Sequence, residues 1–359
     1  MANKVTIQDI ADALGISRNT VSKAINNTGV LADATREKVL RQAAQMGYKH
    51  FSYFTGTDLK KPELLASDSV KAGEFVLLTT VFWGESYFIS AIADTFQREL
   101  SRLGCRLTMY RVLDYEVDSR KLPDSFDLKR VSGIICFEMF DPGYCDMLCS
   151  LHIPILFVDA PAASLNRPFH ADRLLPDSQS SICTFVAEMV HRNKKKIGFV
   201  GEYLHCQSFF ERYMGYRAAM VLSGLPAMDE YCILGNKEGV KHPGSPDYQE
   251  YLTGQLSNMD RLPEVFVCAN DFVAIDLLHV LRKAGISVPG DVYLCGFDNT
   301  SESRMVTPPL TTIHIYSEVM GRCAAYLLLS RIQDPSMNFR TVHTETMVLL
   351  RESTNDSPA

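Results

Sequence analysis

From Gly73 to about Gly296 the chain alternates two patterns. Short continuous apolar runs, such as Phe75-Val-Leu-Leu-Thr79 and Gly133-Ile-Ile-Cys-Phe137, are each followed by a longer stretch with apolar residues at every third or fourth position. The short runs predict buried strands and the longer stretches predict helices. Strands are expected at 75–79, 106–110, 133–137 and 154–158, with helices at 87–103 and near 142–150. In a second series, helices fall at 178–191, 209–223 and 271–284, and strands at 196–200, 230–234, 264–268 and 292–296. Apolar strands alternating with helices imply parallel sheets covered on both faces. Two such series imply two doubly wound lobes.

The first fifty residues follow a different rhythm. Ile7, Ile10, Ala11 and Leu14 recur at helical period after Thr6, with Asp9 at capping-box spacing. Gly15 stands where the chain must turn in a left-handed conformation. Ser17 caps a second helix whose inner side is Val21, Ala24 and Ile25. A third helix, about 33 to 46, buries Val39, Leu40, Ala43 and Met46. Three short helices with a tight turn between the first two form a helix-turn-helix module. Its second helix exposes Arg18, Asn19, Ser22, Lys23 and Asn26, side chains able to donate to base edges and phosphates.

Composition sharpens this picture in two ways. The 359 residues carry a net charge of -6, but residues 1–50 hold seven Lys/Arg against four acids. A basic head on an acidic body fits a separate anion-binding module. The ten cysteines follow no spacing pattern, and several sit in apolar runs, among them Cys136, Cys268 and Cys295. They read as buried hydrophobes in a reducing compartment. Cys145 and Cys149 lie four apart, yet no His or second pair completes a zinc set, so no metal and no cofactor is expected. With no apolar leader and no 18-residue apolar run, the expected location is the cytoplasm, without membrane contact.

Val5-Thr-Ile-Gln-Asp-Ile-Ala11, Gly15-Ile-Ser-Arg-Asn-Thr-Val-Ser-Lys-Ala-Ile-Asn26, Thr35-Arg-Glu-Lys-Val-Leu40 and Gly47-Tyr48 resemble the head of the lactose-repressor (LacI/GalR) family of bacterial transcription regulators. The resemblance continues through Lys195-Lys-Ile-Gly-Phe-Val-Gly201, Arg212-Tyr-Met-Gly-Tyr-Arg217, Ser223-Gly-Leu-Pro226, Ala269-Asn-Asp271, Val288-Pro-Gly-Asp-Val292, Gly296-Phe-Asp298, Pro308-Pro-Leu-Thr-Thr-Ile313 and Arg351-Glu-Ser-Thr354. It implies a helix-turn-helix head at 1–49, a linker at 50–72, an effector and dimerisation domain at 73–352, and a tail at 353–359. The effector domain would have the two-lobed fold of periplasmic sugar-binding proteins. Lobe 1 would cover about 73–171 and 315–330, and lobe 2 about 172–314 and 331–352.

By the same resemblance Arg18, Asn19 and Lys23 are base readers. Thr6, Ser17, Thr20, Ser22 and Asn26 anchor phosphates of double-stranded operator DNA. Arg and Lys suit guanine N7/O6, and Asn suits adenine N7/N6. Two departures stand out. Ala32 replaces the usual Ser cap of the third helix, leaving Asp33 to cap. His50-Phe-Ser-Tyr-Phe-Thr-Gly-Thr57 lacks the Pro, Asn and minor-groove Leu of the family's hinge.

The carboxyl ends of the expected strands hold Asp159, Asn270 and Asp298, where ligands bind in open α/β sheets. Each of these could equally cap the following helix. The resemblance adds Arg212 and makes all four effector contacts, a set suited to sugar hydroxyls, although Asp159 and Asp298 could equally bind a nitrogenous base. Trp83, Tyr87 and Phe88 offer an aromatic platform for a sugar's C–H face, or core packing. The expected protein is therefore a homodimeric or tetrameric repressor controlled by a small molecule. It is not expected to be an enzyme: no phosphate loop, Gly-x-Ser-x-Gly elbow or metal spacing occurs. A glycosidase pair is disfavoured because Arg212 should keep nearby carboxylates ionised. A transported solute-binding protein would need an export signal and no DNA head.

Overall fold

The computed structural model describes residues 6–25, 35, 38, 39, 42, 43, 46, 73–81, 87–235 and 243–355. The chain divides into two compact units, Met1–Ala66 and Ser67–Ala359.

In the first unit, helix α1 spans Ile7–Leu14 and α2 spans Arg18–Ile25. Thr6 adopts extended backbone angles and forms a reciprocal capping box with Asp9: the Thr6 hydroxyl accepts from the Asp9 N–H, and the Thr6 N–H donates to the Asp9 carboxylate at 2.7 Å. That hydrogen bonding holds the Asp9 carboxyl below its ordinary range. Gly15 ends α1 at φ +66°, where a Cβ is disfavoured. Ser17 then accepts from the Thr20 N–H and starts α2. Ile10, Ala11, Val21 and Ala24 form the core with Val39 and Ala43 of the third segment. Leu40, and the third helix as a continuous element, lie outside the described residues, as do Ala32, Asp33 and the hinge stretch.

The larger unit is built on two parallel sheets. Strands β1 (Glu74–Thr79), β2 (Arg106–Arg111), β3 (Val131–Phe137), β4 (Ile155–Val158), β5 (Asp172–Pro176) and β10 (Thr341–Thr344) form one, in the order β10-β5-β4-β3-β1-β2. Strands β6 (Ile197–Val200), β7 (Val265–Cys268) and β8 (Tyr293–Cys295) form the other. Single bridges extend it to Ile233 and Thr311. An antiparallel pair, β9 (Thr312–Ile315) with β11 (Thr346–Leu349), lies beside it through the bridge between Asp298 and His314. Helices α3 (Tyr87–Arg102), α4 (Asp114–Ser119), α5 (Pro142–Cys149), α6 (Ser178–His191), α7 (Gln207–Leu222), α8 (Pro246–Ser257), α9 (Asp271–Lys283), α10 (Glu302–Met305) and α11 (Ser317–Gln333) complete the unit. Each sheet buries its own apolar face, around Ile134, Cys136 and Phe157 in one and Phe266, Leu277 and Leu294 in the other. Gly321 lets α11 lie against α3, because a Cβ there would stand 2.6 Å from the Thr95 Cβ.

Three expectations change. Asp172–Pro176, expected to open the second lobe, is β5 inside the six-stranded sheet. Residues 230–234 are not a strand. Asp229–Tyr231 form a 3-10 turn, leaving Ile233 alone in position to bridge β6. Residues 331–352, expected wholly in the second lobe, divide instead. Thr341–Thr344 joins β5 in the six-stranded sheet, while Thr346–Leu349 pairs with β9. A buried charge clamp accounts for the division. The Asp172 carboxylate, at the start of β5, accepts from Arg331 of α11 at 2.8 Å and from Arg340, just before β10, at 2.6 Å. Burial pushes the Asp172 carboxyl up, but its bonds to Arg331 and Arg340 outweigh that and hold it below its ordinary range.

Asp172→Ala should therefore cost about 3 kcal/mol, because it leaves the buried Arg331 guanidinium, and the half-buried one of Arg340, without a counter-charge. Denaturant midpoints check this. The clamp's contribution is present above the ordinary carboxylate range and is lost as pH falls through the lowered value, so the difference between wild type and variant should shrink in acid.

Candidate functional site

On α2, Arg18, Asn19 and Lys23 are exposed on one side, opposite buried Val21 and Ala24. The helix therefore offers a cationic, amide-bearing face without sacrificing its core contacts. Thr20 and Ser22 are half-buried. The Ser17 and Thr20 hydroxyls bond each other at 2.8 Å, and the Thr6 hydroxyl donates to Asp9 at 2.7 Å. These hydroxyls are thus already engaged in starting the helices. Asn26 lies outside the described residues.

In the larger unit the strand ends converge on the first turns of α7. Asp159, at φ +66° after β4, is buried, and its carboxylate accepts from the Ala160 N–H at 2.7 Å and the Ser208 N–H at 3.1 Å. Cys206 precedes α7 without a side-chain cap bond. Asp159 supplies the missing acceptor from the opposite lobe. Burial raises its carboxyl, against the pull of these hydrogen bonds and that of the Cys206 thiol.

Arg212 is 3% exposed on α7. It donates to the Ala269 carbonyl at 2.5 Å and to Asp298 at 3.2 Å, and its guanidinium lies 3.6 Å from the Phe297 ring centroid. Its Nε is buried without a hydrogen-bond partner. Such groups call for an acceptor or donor from outside the chain. Asn270 serves as the N-cap of α9, its side-chain oxygen accepting from the Val273 N–H at 2.9 Å. The capping alternative thus describes how that oxygen is used here.

Asp298, at φ +104°, has its carboxyl pushed up to about 7. Burial is the largest cause. Arg212 pulls it down, while Asp271 and Glu138 push it up. This corrects the expectation that Arg212 keeps the carboxylates ionised: it bonds Asp298, not Asp159, and desolvation of Asp298 outweighs its field.

The structure thus brings Asp159, Arg212 and Asp298 to one junction, with Asn270 directly after the strand that Arg212 touches. Trp83 lies outside the described residues, as do the side chains of Tyr87 and Phe88. The described aromatic contacts come instead from Phe297, Phe209 (5.3 Å from the Arg212 guanidinium), and the edge-to-face pair of Phe140 with His205 at 5.0 Å. Glu138, Ser208, Phe209 and Phe297 escaped the sequence reading. Phe297 lay inside the quoted Gly-Phe-Asp motif, and Glu138 directly follows an apolar run. A polar chain ties the lobes beside this site: Arg173 to Gln207 (2.9 Å), Gln207 to Glu211 (2.7 Å), and Glu211 to His343 of β10 (3.2 Å).

A helix-turn-helix head with a cationic helix face, beside a unit of two parallel-sheet lobes, is the architecture of a DNA-binding regulator. Comparison with known proteins agrees. Residues 6–50 match the family model of bacterial regulatory proteins, lacI family, and residues 186–354 match that of the periplasmic binding protein-like domain. The HTH-type transcriptional repressor PurR of Vibrio parahaemolyticus serotype O3:K6 is 27% identical over 354 residues, covering 97% of this chain and 98% of that protein. The transcriptional regulator CelR in complex with cellobiose shares the fold at TM-score 0.66 and 20% identity, covering 97% of this chain and 99% of its own. The lac repressor dimer bound to operator and the anti-inducer ONPF does so at 0.65 and 19%, covering 98% and 99%. The chain thus pairs a head matching the lacI regulatory family with a periplasmic binding protein-like domain, and along nearly its whole length it is similar to DNA-binding transcriptional repressors of the LacI type. Among the described residues no helix is long and apolar enough to cross a membrane.

The raised carboxyls of Asp298 (about 7) and Asp271 (about 6) carry a pH signature. A carboxyl whose folded value lies above its unfolded one favours folding fully only in acid, and that contribution is lost as pH rises through the folded value. Stability should thus fall between about pH 4 and about pH 7, and Asp298→Asn should flatten that fall. Urea midpoints across the range check it, and an equally steep fall in the variant contradicts it.

Proposed function

We propose that the protein is a cytoplasmic homodimer whose two heads read a pseudo-palindromic operator, with half-sites about one helical turn apart. Arg18, Asn19 and Lys23 read base edges. Thr6, Ser17, Thr20, Ser22 and Asn26 face phosphates, aided by the helix N-termini. The domains run 1–49, 50–72 and 73–352, with the tail beyond. A small-molecule effector, a sugar or sugar derivative, binds between the lobes at Asp159, Arg212, Asn270 and Asp298. Trp83, Tyr87 and Phe88 supply its apolar platform.

The observation that carries this reading is the junction at α7. The Arg212 guanidinium bonds the Asp298 carboxylate while its Nε is buried and unpartnered, and the Asp159 carboxylate sits at the start of the same helix. Polyhydroxylated rings supply acceptors and donors in that density. The cellobiose complex of a fold relative supports the sugar class. Effector binding shifts the balance between lobe arrangements, and its differential affinity for them sets operator occupancy.

Thermal-shift measurements with cellobiose, ribose and hypoxanthine test the ligand class. A sugar present at about 100 times its Kd should add about 2.7 kcal/mol of stability, and Arg212→Leu should abolish the shift. A shift by hypoxanthine alone moves the effector to the nitrogen heterocycles. The sugar that binds must also change operator affinity, and saturation without such a change would sink the allosteric claim. On a panel of operator variants, Arg18→Ala should cost about 1–3 kcal/mol on the preferred site. Asn19→Ala should relax discrimination at one base step; uniform weakening across the panel would contradict base reading.

A further inference from the structure

Asp298 and Asn299 take consecutive positive φ angles, +104° and +55°. Side-chain-bearing residues hold such angles only where the surroundings over-determine them. Here the anchors are visible. The Asp298 N–H donates to the Ile313 carbonyl at 2.8 Å, and the Asn299 N–H to the Thr312 hydroxyl at 3.2 Å. The Asn299 side chain is gripped at both ends. Its amide nitrogen lies 3.0 Å from the His314 Nδ1, and its oxygen accepts from the Arg351 Nη2 at 2.5 Å. The second arm of Arg351 donates to the Leu310 carbonyl at 2.9 Å and the Ser303 hydroxyl at 3.1 Å, and its own N–H donates to Thr311 at 2.7 Å. The guanidinium is thus fixed to the segment before β9 and to the start of α10, with one prong left for Asn299. The next residue, Thr300, is tied to Asp271 at 2.8 Å.

We propose that Arg351, acting through the side chain of Asn299, is the positioning residue that holds this left-handed turn and thereby aims the Asp298 carboxylate at Arg212 and the effector. The inference rests on the effector site proposed above and adds to it a residue that touches no ligand. Arg351 reaches the site from the far end of the chain, after the last strand. A planar two-armed donor fits this task because it spans two partners in fixed relative orientation, which a lysine ammonium does not.

The test follows Asp298 directly, by carboxyl NMR of protein labelled with 13C at aspartate Cγ, its resonance assigned through Asp298→Asn. The charged groups acting on it are Arg212, Asp271 and Glu138, and burial is the largest influence. Loosening the turn admits water, so Arg351→Lys should lower the titration midpoint by about 1 unit or more at little change in melting temperature. Asn299→Gly, which removes both side-chain anchors while easing the backbone strain, should do the same. A midpoint that stays or rises in both variants overturns the proposal. A fall in Asn299→Gly alone overturns the assignment to Arg351 and leaves His314 as the anchor. No effector is needed, so failure of the sugar reading and failure of this one are separable.

Discussion

The first turn of α7 has no cap of its own, and the larger unit is organised around how that deficit is met. A helix N-terminus presents unpaired N–H groups and a positive dipole end. Asp159, delivered by β4 of the other lobe, accepts from the Ser208 N–H, and the Ala160 carbonyl accepts from that of Gln207 at 2.8 Å. The same few residues carry Gln207 and Glu211 to Arg173 and His343, and Arg212 to Asp298. One helical turn therefore joins the lobes and presents the central cation of the site. Moving it perturbs both at once.

The two ends of the unit are held by quite different chemistry. The Asp172 clamp pins α11 and β10 to the six-stranded sheet with two guanidiniums on one carboxylate. Satisfied on both oxygens, that carboxylate stays ionised. Asp298 has one guanidinium contact and two acidic neighbours, and its carboxyl rises to about 7. Equal side chains thus diverge through the number of donors each receives.

The sequence made the buried elements legible because their patterns are strong. The helix expected at 178–191 is Ser178–His191, and the strand expected at 264–268 is Val265–Cys268. It missed β10, whose Thr-Val-His-Thr has no apolar run and pairs on one side alone at the sheet edge. It over-read 230–234, where two acids favour a turn before the single bridging residue. At the junction, position after the expected strands singled out Asp159, Asn270 and Asp298, and the family resemblance added Arg212. Neither gave any hint that Asp159 caps a helix of the opposite lobe, nor that Glu138 bears on Asp298. Those relations depend on burial and on contacts across the lobe junction, quantities that no local pattern encodes.

The interlobe cap at Asp159 has a further consequence. Its carboxylate has a fixed set of lone pairs, and the Ala160 and Ser208 N–H groups and the Cys206 thiol already draw on them. Both N–H bonds fall on one oxygen, Oδ1, so sliding α7 along β4 would strip that atom of two donors together. The ionisation of Asp159 is thereby tied to the registry of the lobes: a proton settling on this carboxyl weakens the join, and a tightened join expels the proton.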